Sequence, residues 1–290
     1  MSESPVAQRP LPAVGPDPAP GWRPGLIALD IDGTLLSWIE GSGQTHAEVT
    51  EPVRVAVRRA MDAGCHVVLA SGRSPHGMTP VADMLGLGAD EPVWIVASNG
   101  AVVFRYPPME VTHEHTFDAA DAVAAVLREH PNAVVAVEDR GGEGYRVSAP
   151  FPDGELSGTQ TITPVEEIVA APVSRVIVRD PEATAQDFVD LGRRLGLHGT
   201  DYVVGWTAWL DLAPTGISKA SGLDEVARDL GVDPADTLAI GDGRNDLEML
   251  AWAGRGVAMG QAVPEVVEAA DAVTHPVTED GAATEIGRYF

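Results

Sequence analysis

What this sequence of 290 residues has least of narrows its class before any motif is read. It holds one cysteine, Cys65, which excludes an intrachain disulfide and any cysteine-built zinc site and fits a reducing compartment. Positive charge is scarce, with 19 Lys and Arg against 43 Asp and Glu and a net charge of −24. A nucleic-acid backbone is bound through clustered Lys and Arg, and an anionic bilayer attracts the same residues, so neither is an expected partner. No apolar run reaches the length of a membrane span, and the N-terminus lacks a basic stretch followed by an apolar core. A cytoplasmic protein is the expectation. A few cations and a metal can still hold a phosphate locally, so small anionic substrates stay open. Nothing in the sequence signals an oligomeric state.

What is present centres on Leu26-Ile27-Ala28-Leu29, an unbroken apolar run that reads as a buried parallel strand. It ends in Asp30-Ile31-Asp32-Gly33-Thr34. Side chains alternate along extended backbone, so Asp30 and Asp32 leave the sheet on one side, and Gly33 permits the tight turn. Like charges that close repel unless a cation neutralises them or one carboxyl keeps its proton. A divalent metal is the expected partner, with a plain Asx-type turn as the alternative for D-x-D alone.

Residues 1–24 carry Pro5, Pro10, Pro12, Pro16, Pro18, Pro20 and Pro24 and are expected to form a disordered tail. Thr50–Ala63 reads as a helix, with Thr50 as N-cap, Pro52 in the first turn, Val53, Val57 and Met61 at helical spacing, and Gly64 as the stop. The apolar strands His66–Ala70 and Val93–Ala97 follow, ending in Ser71-Gly72-Arg73-Ser74 and Ser98-Asn99-Gly100. Strand, helix, strand is the grammar of a parallel sheet. Over 102–210 short β-rich runs enclose two helical patterns, Asp118–Glu129 and Pro181–Leu195, with Gly141-Gly142-Glu143-Gly144 as a turn. This stretch is expected to be an inserted α+β domain, one open-faced sheet with helices on one side. Residues 25–101 and 211–290 then make the core domain. In its second part Ser218 and Lys219 open a helix running to Leu230, and the strand Thr237–Ile240 closes with Gly241-Asp242-Gly243-Arg244-Asn245-Asp246.

Each polar cluster has an ordinary reading. Ser71 or Ser74 either caps the next helix or, with the Gly72 amide, donates to a phosphoryl oxygen. Lys219, in a first helical turn, opposes the helix dipole unless an anion lies near; a solvated surface lysine is the alternative. Asp242, Asn245 and Asp246 form a capped turn or half of a metal site, and not an EF-hand, because Arg244 sits where an oxygen ligand is needed. All of them fall at the carboxyl ends of strands or just inside the following helix. Open parallel sheets bind ligands there, so the clusters read as one site.

Taken together, D-I-D-G-T, A-S-G-R, S-K and G-D-G-R-N-D resemble the four ordered motifs of the haloacid dehalogenase-like (HAD) superfamily, and Glu279-Asp280-Gly281 is similar to the tail of its Cof-type (HAD-IIB) subfamily. The likeness spans about 25–100 and 213–290. It implies an α/β fold, a Rossmann-like parallel-sheet core with an inserted C2B-type cap. It also implies that Asp30 is the nucleophile, that Asp32 is the general acid and base, and that Ser71, Gly72, Lys219 and Asn245 hold the phosphoryl group. Mg2+ would be bound by the Asp30 carboxylate, the Asp32 carbonyl and Asp242, with Asp246 orienting its waters. Ser71 stands where Cof-like members commonly have threonine, and the hydroxyl is kept. The resemblance assigns nothing to Arg73 or Arg244. The expected activity is a magnesium-dependent phosphatase for a small phosphorylated metabolite such as a sugar phosphate; a phosphomutase or a non-catalytic phosphometabolite-binding protein are the alternatives. Glu138, Arg146, Arg179, Trp206 and Trp209 are candidate cap contacts or ordinary sheet packing. His113 and His115 have the spacing of a strand-borne metal pair or of a plain exposed face.

Overall fold

The structure is a computed structural model that describes residues 20–39, 44–45, 48–139, 144–152, 155–180, 182–184, 187–188, 190–191, 200–204 and 209–290. The proline-rich stretch as far as residue 19, the turn at 141–143, much of the expected helix at 181–195 and Trp206 lie outside those residues. The last part of the expected tail is packed. Trp22 stacks edge-on against Tyr289 at 5.3 Å and donates to the Ala235 carbonyl, because an aromatic so close to the first strand finds an apolar neighbour.

In chain order the first block comprises β1 (Leu26–Leu29), β2 (Trp38–Ile39), β3 (Gln44–Thr45), α1 (Glu51–Asp62), β4 (His66–Ala70), α2 (Pro75–Leu85), β5 (Val93–Ala97), β6 (Val102–Tyr106) and β7 (Glu110–Glu114). The second comprises α3 (Ala120–Glu129), β8 (Val134–Glu138), β9 (Gly144–Val147), β10 (Thr159–Ile162), α4 (Val165–Ile168), β11 (Val176–Arg179), β12 (Thr200–Val204) and β13 (Trp209–Pro214). The third comprises α5 (Lys219–Leu230), β14 (Thr237–Gly241), α6 (Leu247–Trp252), β15 (Arg255–Ala258), α7 (Pro264–Ala269), β16 (Ala272–Val273) and α8 (Gly281–Ile286).

An eight-stranded sheet runs β16-β15-β14-β1-β4-β5-β6-β7, parallel as far as β5. β1 lies inside it with all four side chains buried, which is why its sequence is apolar without alternation. Ile27 and Leu29 face a core shared with α1, α2 and α8, while Leu26 and Ala28 face one shared with α5, α6 and α7. The six-stranded second sheet, β10-β9-β8-β11-β13-β12, is antiparallel except for β10 and β9. Val135, Val137, Val176, Val178, Leu210 and Leu212 carry α3 and α4 on one face of it.

Sheet pairing crosses the expected boundaries at residues 102 and 211. β6 folds back antiparallel on β5 and β7 on β6, so residues 102–114 extend the first sheet, and β13 keeps residues through Pro214 in the second. A β-rich pattern marks a strand without naming the sheet that receives it. The tight turn at Ser98-Asn99-Gly100, all at positive φ, sends the chain straight back. β10 was not legible because Thr159, Thr161 and Ile162 are exposed and supply no apolar rhythm. Thr50 sits at the N-cap of α1 as expected, but its hydroxyl donates to Asp280 at 2.6 Å and not to its helix.

Candidate active site

β4, β1 and β14 are neighbours and parallel, so the residues that follow them emerge together at one edge of the sheet. Asp30 leaves β1 with its amide still bonded to the Ile240 carbonyl, and Asp242 follows β14. Ser71 follows β4. Lys219 opens α5, whose N-terminus is closed by a Ser218–Ser221 capping box.

Asp30, Lys219, Asp242 and Asp246 are all buried. Lys219 Nζ donates to Asp30 Oδ1 and to Asp246 Oδ1, each at 2.6 Å. The second oxygen of Asp246 accepts from the amides of Asp242 at 2.9 Å and Gly243 at 2.8 Å. One ligand oxygen each from Asp30, Asp242 and Asp246 lies within 4.8 Å of the others. Asp30 and Asp246 thus share one ammonium, with the Asp242 carboxylate beside them. Burial, with Asp246 beside it, pushes the Asp30 carboxyl well above the usual carboxylate range, and the same causes raise Asp242 to about 7. Burial alone would lower Lys219, but Asp246 and Asp30 hold it above its ordinary value. Among the described residues the site's three carboxylates outnumber its one ammonium.

A divalent cation fits that deficit. Asp242 Oδ1 is buried with no hydrogen-bond partner among the described residues, and an all-oxygen donor set suits Mg2+. Gly33, at φ +90°, lets the turn pass against Asp242: a Cβ there would meet the carboxylate. Gln261 donates to the Gly33 carbonyl at 2.6 Å and to Asp242 Oδ2 at 3.2 Å, fixing the outer side of this turn.

The Asp32 carboxylate stands apart from the trio. Arg73 grips it through two bonds, Nε to Oδ2 at 2.8 Å and Nη2 to Oδ1 at 2.5 Å. Ser71 is buried and its Oγ accepts from the Arg73 amide at 3.2 Å, while the Gly72 carbonyl accepts from Arg175 of the second sheet. Asn245 donates to Asn99 Oδ1 at 3.0 Å. Ser98 and Asn99 both hold positive φ, uncommon for residues with side chains, and Ser98 Oγ donates to both Glu138 oxygens at 2.7 and 2.8 Å.

Among the cap candidates, Glu138 therefore reaches the first sheet. Arg146 instead donates to the Glu167 carbonyl, and Arg179 pairs with Glu155 at 2.6 Å. His115 bonds Glu225 on α5 at 2.8 Å and His113 lies 3.9 Å from Asp229 of the same helix, so each faces its own acid. Arg244 pairs with Glu265 at an exposed position. Sequence reasoning missed Arg73 as the partner of Asp32, and it missed Asn99, Arg175, Asp211 and Gln261. Asp211 alone carried a signal, as an acid between two apolar residues in a strand.

The model of the family described as haloacid dehalogenase-like hydrolase matches residues 27–286. A phosphoglycolate phosphatase of Natronomonas pharaonis is 32% identical over 255 residues, covering 88% of this chain and 93% of that protein. The solved structure of a haloacid dehalogenase-like hydrolase from Bacteroides thetaiotaomicron aligns with a TM-score of 0.75 at 26% identity, over 93% of this chain and 100% of that one. The HAD subclass IIB sugar phosphatase BT4131 shares the fold, with a TM-score of 0.74 at 24% identity over 91% of this chain and 98% of its own.

Proposed function

The chain belongs to the haloacid dehalogenase-like hydrolase family, and from that premise we propose that it is a magnesium-dependent phosphatase, acting on a small phosphorylated metabolite through an aspartyl-phosphate on Asp30. The observation that carries the reading is the buried group of Asp30, Lys219, Asp242 and Asp246, with its surplus of negative charge and the unpartnered Asp242 oxygen. Asp30, Asp242 and the Asp32 carbonyl would hold Mg2+, which when bound offsets the charge of the phosphoryl oxygens and of the nucleophile.

The protein's own groups divide the work. Lys219 fixes one oxygen of Asp30 and leaves the other to attack phosphorus. As the bond to the leaving oxygen breaks, Asp32 gives that oxygen its proton. Asp32 then takes a proton from water, whose oxygen attacks the phosphorus of the aspartyl-phosphate, releasing phosphate and restoring Asp30. The fork of Arg73 steadies the ionised Asp32 between those transfers and aims it. The Ser71 hydroxyl, the Gly72 amide and Asn245 supply donors for the phosphoryl oxygens. Every group this sequence needs is intact, which leaves the non-catalytic reading without support.

The substrate would be a sugar phosphate or a related phosphomonoester, enclosed by the second sheet as a cap, in a cytoplasmic setting. Among the described residues no helix is long and apolar enough to cross a membrane. A phosphate-release assay across sugar phosphates, phosphoglycolate, nucleotides and cofactor phosphates, with and without Mg2+, tests this. Turnover of a subset that needs Mg2+ and vanishes in Asp30→Asn is the expected result. A flat panel, or isomerisation of a hexose 1-phosphate without phosphate release, would overturn it.

A further inference from the structure

A second buried charged group is left unused by that chemistry. Glu138 on β8, Arg175 just before β11 and Asp211 on β13 come from adjacent strands of the second sheet. Asp211 lies opposite Ile177, and Ile177 opposite Ala136, so this polar face is the one turned away from α3 and α4. The three side chains keep only 9%, 7% and 13% of their exposure. Arg175 Nη2 donates to Asp211 Oδ2 at 2.7 Å, and its Nη1 lies 3.6 Å from Glu138 while donating to the Gly72 carbonyl. Asp211 Oδ2 also accepts from Asn99 Nδ2 at 3.4 Å, and Asn99 holds Asn245 in turn. Ser74, two residues past Gly72, meets Ser157 of the second block at 3.2 Å.

Buried ions of this kind add little to stability, since apolar residues of equal size commonly serve as well or better. This group is also incompletely satisfied, for Arg175 Nε and Asp211 Oδ1 have no partner among the described residues. Its contacts run to two of the groups assigned to the phosphoryl oxygens, Gly72 and Asn245. We propose that Arg175 is a positioning residue: paired with Asp211, it aligns the Gly72 loop directly and Asn245 through Asn99, so that the cap as well as the core shapes the phosphate cradle. This deepens the phosphatase reading and rests on it.

Arg175→Lys tests it, because an ammonium keeps the charge and loses the planar fork that serves Asp211 and Gly72 together. With Mg2+ present, kcat for p-nitrophenyl phosphate should fall about tenfold to a hundredfold while KM moves little, as expected when reacting groups are slightly misplaced. Affinity for orthovanadate, titrated without turnover, should weaken by a similar factor, whereas affinity for inorganic phosphate holds. If Arg175→Lys fails to fold, Asn99→Gly keeps the left-handed backbone and Arg175, cuts the link from Asp211 to Asn245, and should give the same pattern. Unchanged kcat and vanadate affinity in the folded variant would overturn the proposal. So would a loss confined to sugar phosphates, which makes Arg175 a substrate contact. Wild-type protein that hydrolyses nothing yet binds vanadate more tightly than Arg175→Lys sinks the phosphatase reading and sustains this one; wild-type protein that binds no vanadate sinks both.

Discussion

Replacing Lys219 with methionine keeps the length of the buried side chain and removes the ammonium that faces Asp30 and Asp246 at 2.6 Å. Breaking a buried pair from one side costs about 3–5 kcal/mol, because the partners stay behind uncompensated. For a chain of this size that is a fall of about 10 °C in Tm at neutral pH. The pH dependence separates this cause from lost packing. In the wild-type protein the Asp30 carboxyl already sits well above its usual range through burial and Asp246, with Lys219 opposing, and the substitution lets it rise further. A carboxyl raised in the folded state binds a proton there that the unfolded chain has released. Stability therefore falls as pH climbs from the ordinary carboxylate range through the folded value. Thermal melts in EDTA should show a wide gap between wild type and Lys219→Met at pH 8 and a narrower one at pH 5. A gap of equal size at both, or none at either, would refute the claim that charge and not packing holds this group together.

Other outcomes follow from the same geometry. Gly33→Ala puts a Cβ against the Asp242 carboxylate at φ +90° and should cost about 1–2 kcal/mol from the backbone alone, with Mg2+ affinity by calorimetry falling as well. Arg73→Met frees Asp32 from its fork; kcat should drop about a hundredfold with little change in KM, and an unaltered kcat would remove Arg73 from the proton transfers. Cys65 is buried and its thiol is pushed up to about 12 by that burial, so it should react with a disulfide reagent only on unfolding. The unfolded thiol ionises first as pH rises, so between pH 8 and pH 10 wild-type stability should fall by about 1.4 kcal/mol more than that of Cys65→Ser, measured by urea unfolding.

The core of the fold was legible where sequence and burial obey one rule. Leu26–Leu29, Val93–Ala97 and Thr237–Ile240 are apolar because both faces of a parallel sheet are covered, and their polar successors share one edge because parallel strands end together. Asp30, Lys219 and Asp242 do lie together, and Ser71 follows a neighbouring parallel strand. Pairing of side chains was not legible. Arg73 stood in a recognised motif without a role, because nothing in A-S-G-R says that its guanidinium turns back 41 residues to Asp32. Arg175, Glu138 and Asp211 are far apart in sequence and meet only because β8, β11 and β13 are neighbours, an order that alternation along single strands cannot supply. The sheet membership of β6 and β7 was not legible for the same reason, since they look like any other strands until the turn at Ser98–Gly100 commits them to the first sheet.

The central claim is that Asp30 carries the phosphoryl group. Quenching the protein in acid during steady turnover with Mg2+, then mapping its peptides by mass spectrometry, tests that most directly. One phosphate on the peptide that contains Asp30, absent without Mg2+ and absent in Asp30→Asn, is the result the account predicts; phosphate on another residue, or full turnover by Asp30→Asn, would contradict it.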